Sequence, residues 1–193
     1  MDNKILIEQS QHWEKSFSSK PEMFGSEPSH SAKIALEKFK KNNVKHIIEL
    51  GAGLGRDTIF FAKNSIKVTA LDYSPTAVEI IKNKSNSLGL NDLINAQTHD
   101  LRQKLNFADN SFDGCYSHML YCMAFTYSEL ENLNTEVCRV LNKDSLNIYT
   151  VRNHSDADYK KGTHRGEDLY EMNGYIVHYF SDEKIKKLVK GFK

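Results

Sequence analysis

One stretch, residues 46–57, limits the folds open to this chain. It reads His46-Ile-Ile-Glu-Leu-Gly-Ala-Gly-Leu-Gly-Arg-Asp57: a short apolar run, three glycines at alternate positions, and then a helical pattern. This order predicts a buried parallel strand over Val44 to Leu50, a tight turn, and a helix that begins near Arg56. Glycine accepts positive φ and lets backbone N–H groups approach a ligand closely. The stretch therefore predicts a ligand site at the carboxyl end of a parallel strand.

An acidic residue follows this turn at an informative distance. The next apolar run, Lys67 to Leu71, ends in Asp72, which lies 21 residues after Gly51. That separation is typical of a βαβ unit whose second strand brings a carboxylate to the ribose of a bound nucleotide. We therefore predict a nucleotide-type ligand with Asp72 at its ribose.

Two residues near the glycines bear on which nucleotide is bound. A dinucleotide fingerprint, G-x-G-x-x-G/A, needs a small residue at position 56, where this chain has Arg56. Glu49 comes two residues before the first glycine, and a carboxylate there would repel a pyrophosphate but suit an ammonium group. The pattern disfavours NAD(P), which remains an alternative.

The motif also resembles that of a known family. Glu49-x-Gly51-x-Gly53-x-Gly55, followed by Leu71-Asp72-Tyr73-Ser74-Pro75, is similar to motif I and the next acidic strand end of class I (Rossmann-like) S-adenosylmethionine (SAM)-dependent methyltransferases. The resemblance implies that the glycine turn passes under the amino-acid part of SAM. It places Glu49 near the SAM amino group or sulfonium, and Asp72, with Tyr73 beside it, at the ribose.

Two later segments extend the resemblance over roughly residues 40–151. Thr98-His-Asp-Leu101 matches the family's third strand end, which implies that Asp100 and Leu101 lie near the adenine. The run from Ser111 to His118 resembles motif IV, which implies a cofactor contact at Ser117. His118 is then a candidate base at the end of strand 4, because imidazole titrates near neutrality; a polar lining residue is the alternative.

Strands alternate with helices through this region. We therefore predict an α/β fold: a three-layer αβα Rossmann-like sheet, mostly parallel, without the strand 6/7 hairpin that the family carries at its C-terminal end. Strand 5 would then lie at an exposed edge of the sheet. Formation of a homodimer is one way to cover this edge.

The chain is predicted to form a single methyltransferase domain over residues 1–193. Residues 1–30 form an N-terminal extension that either closes over the site as a lid or only packs on the domain. Residues 31–151 form the SAM-binding core. Residues 152–193 form an acceptor-side loop, then a short strand over 175–180 and a C-terminal helix capped by Ser181.

Composition excludes several classes of protein. A formal net charge of +1 gives no support for a nucleic-acid partner, and 39% hydrophobic residues describe an ordinary globular chain. No apolar run reaches the ~18 residues of a membrane span, and the N-terminus lacks a signal-peptide core, which predicts a cytoplasmic protein. The three cysteines show no C-x-x-C spacing, and the His- and acid-rich segment from His154 to Asp168 shows no clear ligand spacing, so no metal is predicted.

The function predicted by these observations is transfer of a methyl group from SAM to a small-molecule acceptor, with S-adenosylhomocysteine as the co-product. The sequence does not indicate whether oxygen, nitrogen, sulfur or carbon is methylated. A SAM-binding protein without catalysis is the main alternative, and an NAD(P)-dependent oxidoreductase is a further one.

Overall fold

A five-stranded parallel sheet forms the centre of the molecule. The computed structural model describes residues 1–189 and Phe192, and its central sheet has the strand order β3-β2-β1-β4-β5. Its elements are α1 (Asn3–Ser19), α2 (His30–Lys41), β1 (His46–Leu50), α3 (Arg56–Lys63), β2 (Lys67–Asp72), α4 (Pro75–Leu88), β3 (Ile94–Thr98), β4 (Phe112–Ser117), α5 (Tyr127–Val140) and β5 (Leu141–Tyr149). The predicted three-layer α/β fold is confirmed.

The position of β1 at the middle of the sheet follows from its composition. Ile47, Ile48 and Leu50 are fully buried, as expected for a central parallel strand covered by helices on both faces. Ile47 belongs to the apolar cluster that includes residues of α2, α3 and α4, whereas Ile48 and Leu50 belong to the cluster that includes α5. Because successive side chains of β1 point to opposite faces of the sheet, this strand packs against the helices of both outer layers.

Local signals set the ends of α4. The Ser74 side chain accepts a hydrogen bond from the Ala77 N–H, and Pro75 takes the first helical position. Gly89 closes the helix with a φ of +65°. This helix therefore begins directly after Asp72 and fixes the direction in which the chain leaves the end of β2.

The segment over residues 152–174 is not the simple loop that the sequence predicts. It contains three short strands, β6 (Arg152–Asn153), β7 (Thr163–His164) and β8 (Leu169–Met172), which join β9 (Tyr175–Phe180) in a small sheet of order β6-β9-β8-β7. Asn173 and Gly174, both with positive φ, form the two-residue turn between β8 and β9, with Met172 paired to Tyr175. An Asn-Gly pair is a strong hairpin signal that the loop prediction overlooked.

The C-terminal helix follows as predicted, within the described residues. The Ser181 side chain accepts from the Lys184 N–H, and α6 covers Asp182–Leu188. The predicted helix continued through Lys190 and Gly191, which lie outside the described residues. Phe192 packs against the cluster that contains Leu188.

The N-terminal extension contains the helix α1, which covers Asn3–Ser19. It connects two parts of the fold. The amide group of Gln9 donates to the carbonyl of Gly174 at 2.7 Å and accepts from the N–H of Ile176 at 3.0 Å, which ties α1 to the β8–β9 hairpin. The Glu14 carboxylate accepts hydrogen bonds from the hydroxyls of Ser74 and Thr76 at the start of α4.

Strand β5 lies at the edge of the central sheet, as predicted. Within residues 1–189 and Phe192, no sixth or seventh strand pairs with it. It extends over nine residues because the chain pairs with β4 on both sides of an irregularity between Phe112 and Gly114. Cover of this edge by a second copy stays a prediction. In the part of the chain described, no helix has the length and apolarity to cross a bilayer.

Candidate functional site

The glycine turn joins β1 to α3 in a conformation that requires its glycines. Gly51, Gly53 and Gly55 have φ values of +70°, +53° and +77°. A Cβ atom on Gly55 would lie 2.6 Å from Cγ1 of Ile81, so this glycine allows α3 and α4 to pack together. A Cβ atom on Gly53 would meet nothing closer than 3.9 Å, so the space in front of this glycine is open. The turn therefore holds the helices together at one end and leaves room for a ligand at its middle.

Asp72 is held against this turn at the end of β2. One carboxylate oxygen accepts from the Gly53 N–H at 2.8 Å, and the other accepts from the Ser74 N–H at 3.0 Å. The side chain is 5% exposed, and burial raises the pKa of Asp72 to about 6, although these hydrogen bonds oppose the shift. A carboxylate has about four acceptor positions, so capacity remains for further donors.

Glu49 is the second buried carboxylate at the turn. One of its oxygens accepts from the Thr58 hydroxyl at 2.6 Å. Burial, with the negative charge of Asp57 nearby, raises the pKa of Glu49 well above its usual value. A buried carboxylate in this state favours a cationic partner, since its charge is costly without one.

These residues border one large cavity. Its volume is about 1010 Å³, and it lies at the carboxyl ends of β1, β2 and β4, where ligands bind in open parallel sheets. The residues predicted for the site that line it are Glu49, Gly51, Gly53, Asp72, Tyr73, Asp100, Leu101 and His118. The volume is at the upper end of the range for a single small-molecule pocket, ~300–1,000 Å³.

Two predicted site residues do not line this cavity. Gly55 is turned towards Ile81, as described above. The hydroxyl of Ser117 is fully buried and donates to the Leu50 carbonyl at 3.1 Å, which fastens β4 to β1. Both residues therefore stabilise the elements around the site without facing the cavity.

A different set of side chains forms the other wall of the cavity. His118 stands at the end of β4, and Met119 after it has a φ of +65°, a conformation uncommon outside glycine that turns the chain sharply. The rest of this wall includes six aromatic or sulfur-containing side chains together with charged, polar and aliphatic ones: Leu120, Met123, Ala124, Phe125, Arg152, Asp158, Tyr170, Met172, Asn173, Tyr175, Val177 and Tyr179. The small sheet thus supplies much of this wall.

Helix α1 and the segment after it cover the cavity. Trp13 and Phe17 on α1 line it, together with Phe24. The guanidinium of Arg56 donates to the Phe24 carbonyl at 2.9 Å and lies 5.7 Å from the centre of its ring. Arg56 stands at the position where a dinucleotide motif has a small residue. It therefore holds the segment after α1, at Phe24, against the cavity.

Sequence reasoning missed Asp57, which also lines the cavity. Its carboxylate accepts from the Ser29 N–H and hydroxyl, both at 2.7 Å, and from the Tyr116 hydroxyl at 3.0 Å. The sequence shows only an acidic residue in the first turn of a helix, which the helix dipole alone would explain. Its partners come from α2 and β4, so no local signal reveals them.

Side chains of the His- and acid-rich segment, from His154 to Asp168, contact other side chains of the protein. The Lys184 ammonium lies 2.7 Å from an Asp168 carboxylate oxygen, and the Tyr159 hydroxyl donates to the other oxygen at 2.8 Å. The ring of His154 stacks on that of Tyr159. Among residues 1–189 and Phe192, no three His, Cys, Asp or Glu side chains assemble into a group that could hold a metal ion.

Comparison with known families agrees with this geometry. A family model described as a methyltransferase domain matches residues 47–144, which is half of the chain. The chain belongs to this methyltransferase family. S-adenosylmethionine is therefore its cofactor, as the resemblance of the glycine turn implied.

Solved structures of methyltransferases have the same fold. A SAM-dependent methyltransferase from Methanosarcina mazei is 20% identical with a TM-score of 0.65, and the match covers 75% of this chain and 77% of the other. A candidate sarcosine dimethylglycine methyltransferase from Galdieria sulphuraria is 18% identical with a TM-score of 0.58, covering 66% and 49%. Geranyl diphosphate methyltransferase, solved with SAM, is 14% identical with a TM-score of 0.55, covering 63% and 49%.

At identities of 14–20%, these matches show the fold of the chain but not its substrate. The chain spans about half the length of the Galdieria protein and of the geranyl diphosphate enzyme. No curated protein sequence matches it.

The residues present fit this cofactor. The open space at Gly53 would accept an amino-acid moiety, which a Cβ atom would obstruct. Asp72 has acceptor capacity for ribose hydroxyls, and Glu49 offers a buried carboxylate to an ammonium group. The acceptor chemistry of the turn thus corresponds to the ammonium group and the ribose hydroxyls of SAM.

Proposed function

We propose that this protein is a SAM-dependent methyltransferase that acts on a small-molecule acceptor. The observation that carries the proposal is that one cavity contains both the glycine turn and His118, with an aromatic and sulfur-rich wall beyond the histidine. A cavity of about 1010 Å³ has room for a second small ligand next to the cofactor. The cover formed by α1 favours an acceptor that fits inside.

The cofactor is proposed to bind along the ends of β1, β2 and β3. Glu49 would receive the amino group, and Asp72 the ribose hydroxyls. Tyr73, which is half-buried beside Asp72, would also lie at the ribose, and Asp100 and Leu101 would border the adenine. The Asp100 side chain is fixed by accepting from the Arg102 N–H at 3.0 Å.

Methyl transfer from SAM requires the protein mainly to position the methyl donor and the acceptor. SAM supplies a methyl carbon activated by its sulfonium: the acceptor's electron pair forms the new bond to carbon, and the carbon–sulfur pair stays on sulfur. Holding donor and acceptor in contact can supply most of the acceleration. If the acceptor carries a proton on its nucleophilic atom, His118 is the candidate to take it, since it lies at the boundary of the two walls.

Burial of His118 is consistent with this role. It lowers the pKa of the imidazole, so the ring is neutral and able to accept a proton near pH 7. The charges of Asp57 and Arg56 act on this pKa in opposite directions, Asp57 raising it and Arg56 lowering it. A polar lining role for His118 is the alternative that the experiments below separate.

The test is a transfer assay with SAM that carries a trideuterated methyl group. The protein is incubated with a small-molecule extract, and mass spectrometry identifies compounds that gain the label. We expect labelled products below 1 kDa, formed only with active protein. If S-adenosylhomocysteine binds but no extract yields a labelled compound, the protein binds SAM without catalysis, and the proposed activity is wrong.

His118→Ala serves as the second arm of this test. The variant should keep its affinity for S-adenosylhomocysteine within about threefold, because the predicted cofactor contacts lie elsewhere. Loss of a base lowers turnover by roughly 10²–10⁴-fold. Unchanged turnover would leave His118 as a lining residue only.

A further inference from the structure

A chain of hydroxyl groups connects the buried carboxylate of Asp57 to His118. Asp57 is 4% exposed, and its Oδ2 atom accepts from the Ser29 hydroxyl at 2.7 Å and the Tyr116 hydroxyl at 3.0 Å. The Ser31 hydroxyl lies 2.9 Å from each of these two hydroxyl oxygens. The same Ser31 oxygen is 2.9 Å from Nδ1 of His118. Three elements, α2, α3 and β4, therefore meet in one connected set of polar groups.

The direction of each hydrogen bond follows from counting protons. A serine or tyrosine hydroxyl has one proton to donate, and an ionised carboxylate only accepts. Ser29 and Tyr116 give their protons to Asp57, so towards Ser31 they can only accept. If the Ser31 proton points to one of these two oxygens, one of the two contacts is a hydrogen bond; if it points to Nδ1 of His118, both contacts bring two oxygens to 2.9 Å with no proton between them. We therefore assign the Ser31 proton to one of these two oxygens.

This assignment determines the proton position on the histidine. Because the Ser31 hydroxyl donates towards Asp57, its contact with His118 requires a proton on Nδ1. The second neighbour of Nδ1 is the Thr150 hydroxyl at 3.1 Å. Its oxygen accepts from the Met119 N–H and, in this assignment, from Nδ1–H, with its own proton turned away from the ring. A neutral imidazole has one N–H, so Nε2 then carries the free electron pair.

We propose that Asp57, acting through Ser29, Tyr116 and Ser31, holds His118 in the Nδ1–H tautomer, so that Nε2 serves as the proton acceptor towards the cavity. Among residues 1–189 and Phe192, Nε2 has no hydrogen-bond partner, and His118 lines the cavity. Asp57, Tyr116 and Ser31 are positioning residues in this arrangement.

The arrangement also specifies the class of acceptor, and this step rests on the proposed function. A basic Nε2 is useful only if the nucleophilic atom of the acceptor carries a proton. The acceptor X–H bond then breaks, its proton moves to Nε2, and its electron pair remains on X to form the bond to the methyl carbon. We therefore infer a hydroxyl, thiol or protonated amine as the methylated group, rather than a thioether or tertiary amine.

The tautomer can be measured without any methyl transfer. In protein labelled with ¹⁵N-histidine, two-bond ¹H–¹⁵N spectra distinguish a protonated ring nitrogen from an unprotonated one, and the eight histidines allow assignment by comparison with His118→Gln. We expect Nδ1 of His118 to be protonated and Nε2 unprotonated at pH 8. A predominantly Nε2–H ring in the wild-type protein would overturn the proposal.

Three variants test the connection. Ser31→Ala and Tyr116→Phe should each shift the ratio of the two tautomers towards Nε2–H by about five- to tenfold, the effect of losing one ordinary hydrogen bond. Ser31→Thr keeps the hydroxyl and should restore the wild-type ratio. If Ser31→Ala fails to fold, Tyr116→Phe gives the same test, because it removes only one oxygen atom.

Tyr121→Phe is the matched control. Tyr121 is also fully buried, but its hydroxyl donates to Asn134 at 2.7 Å, outside this set of contacts. It should leave the His118 tautomer unchanged. Two results would contradict the proposal: equal effects of Tyr116→Phe and Tyr121→Phe on the tautomer, or no effect of Tyr116→Phe and Ser31→Ala. Either result would mean that the hydroxyl groups contribute to packing and do not set the tautomer. Binding of S-adenosylhomocysteine, measured separately, shows whether the proposed function itself has failed.

Discussion

The carboxylate of Asp72 accepts a hydrogen bond from the backbone N–H of Gly53 at 2.8 Å. This contact joins the end of β2 to the middle of the glycine turn after β1. The two features that the sequence separates by about twenty residues therefore form one rigid unit. The unit places the Asp72 carboxylate, which we propose accepts from the ribose hydroxyls, next to the open space at Gly53.

The first prediction concerns the pH dependence of cofactor binding. Burial raises the pKa of Asp72 to about 6, and ribose hydroxyls bind best to the ionised form. Affinity for S-adenosylhomocysteine should therefore be constant above about pH 7 and fall below pH 6, by up to about tenfold per pH unit. Calorimetric titration between pH 5 and 8 measures this.

Asp72→Asn is the control for that measurement, because its side chain does not titrate. The variant should bind more weakly at pH 8 and lose the part of the pH dependence that Asp72 contributes. An identical pH profile in the variant would assign the dependence to another group, of which Glu49 is the nearest candidate.

The second prediction separates the roles of the two carboxylates. Glu49→Gln should weaken S-adenosylhomocysteine by about tenfold or more, since hydrogen bonds to a charged group contribute ~1.5–3 kcal/mol. The same variant should bind 5′-methylthioadenosine, which lacks the amino-acid part, as the wild type does. Asp72→Asn should weaken both ligands. Equal loss of both ligands in Glu49→Gln would remove this carboxylate from the ammonium site.

The third prediction compares two glycines of the turn. Gly55→Ala should lower the free energy of unfolding by about 2–4 kcal/mol, because its Cβ atom adds a clash with Ile81 to the strain of positive φ. Gly53→Ala meets no such clash and should cost only about 1–2 kcal/mol. Urea denaturation measures both values.

The same pair should show the opposite order in cofactor binding. Gly53→Ala places a methyl group in the proposed amino-acid site and should reduce affinity for S-adenosylhomocysteine strongly although it folds. Normal binding by folded Gly53→Ala would mean that the ligand lies elsewhere in the cavity.

The fourth prediction uses the single tryptophan of the chain. Trp13 lines the cavity, and its ring centre lies 4.7 Å from that of Tyr175 on β9. Ligand binding should change its fluorescence, and Trp13→Phe should remove the signal while calorimetry still detects binding. A calorimetric signal with unchanged Trp13 emission would argue against α1 as a cover in contact with the ligand.

The sequence predicts the central sheet well because its signals are local. The apolar run before Gly51, the capping serine at Ser74 and the stop at Gly89 each act within a few residues. The same holds for Asp72, whose spacing from the turn follows from one βαβ unit. These parts of the candidate site were predictable for that reason.

The remaining parts depend on contacts between distant segments. The pairing of Asp57 with Ser29 and Tyr116 spans 28 and 59 residues, and the contacts of α1 with Gly174 span 165. Ser117 was predicted from its place in a motif, but the direction of its hydroxyl depends on the pairing of β4 with β1. In the small sheet, β9 was predicted, but β6, β7 and β8 were missed because they are only two to four residues long, although the Asn173-Gly174 turn is a local signal.

The most direct measurement is a calorimetric titration of the purified protein with S-adenosylhomocysteine, with NAD and NADP titrated in parallel. It needs no knowledge of the acceptor and tests the site formed by Glu49, Gly53 and Asp72. We predict that S-adenosylhomocysteine binds in the micromolar range or more tightly and that neither dinucleotide binds. Binding of NAD or NADP without S-adenosylhomocysteine would contradict the proposed site.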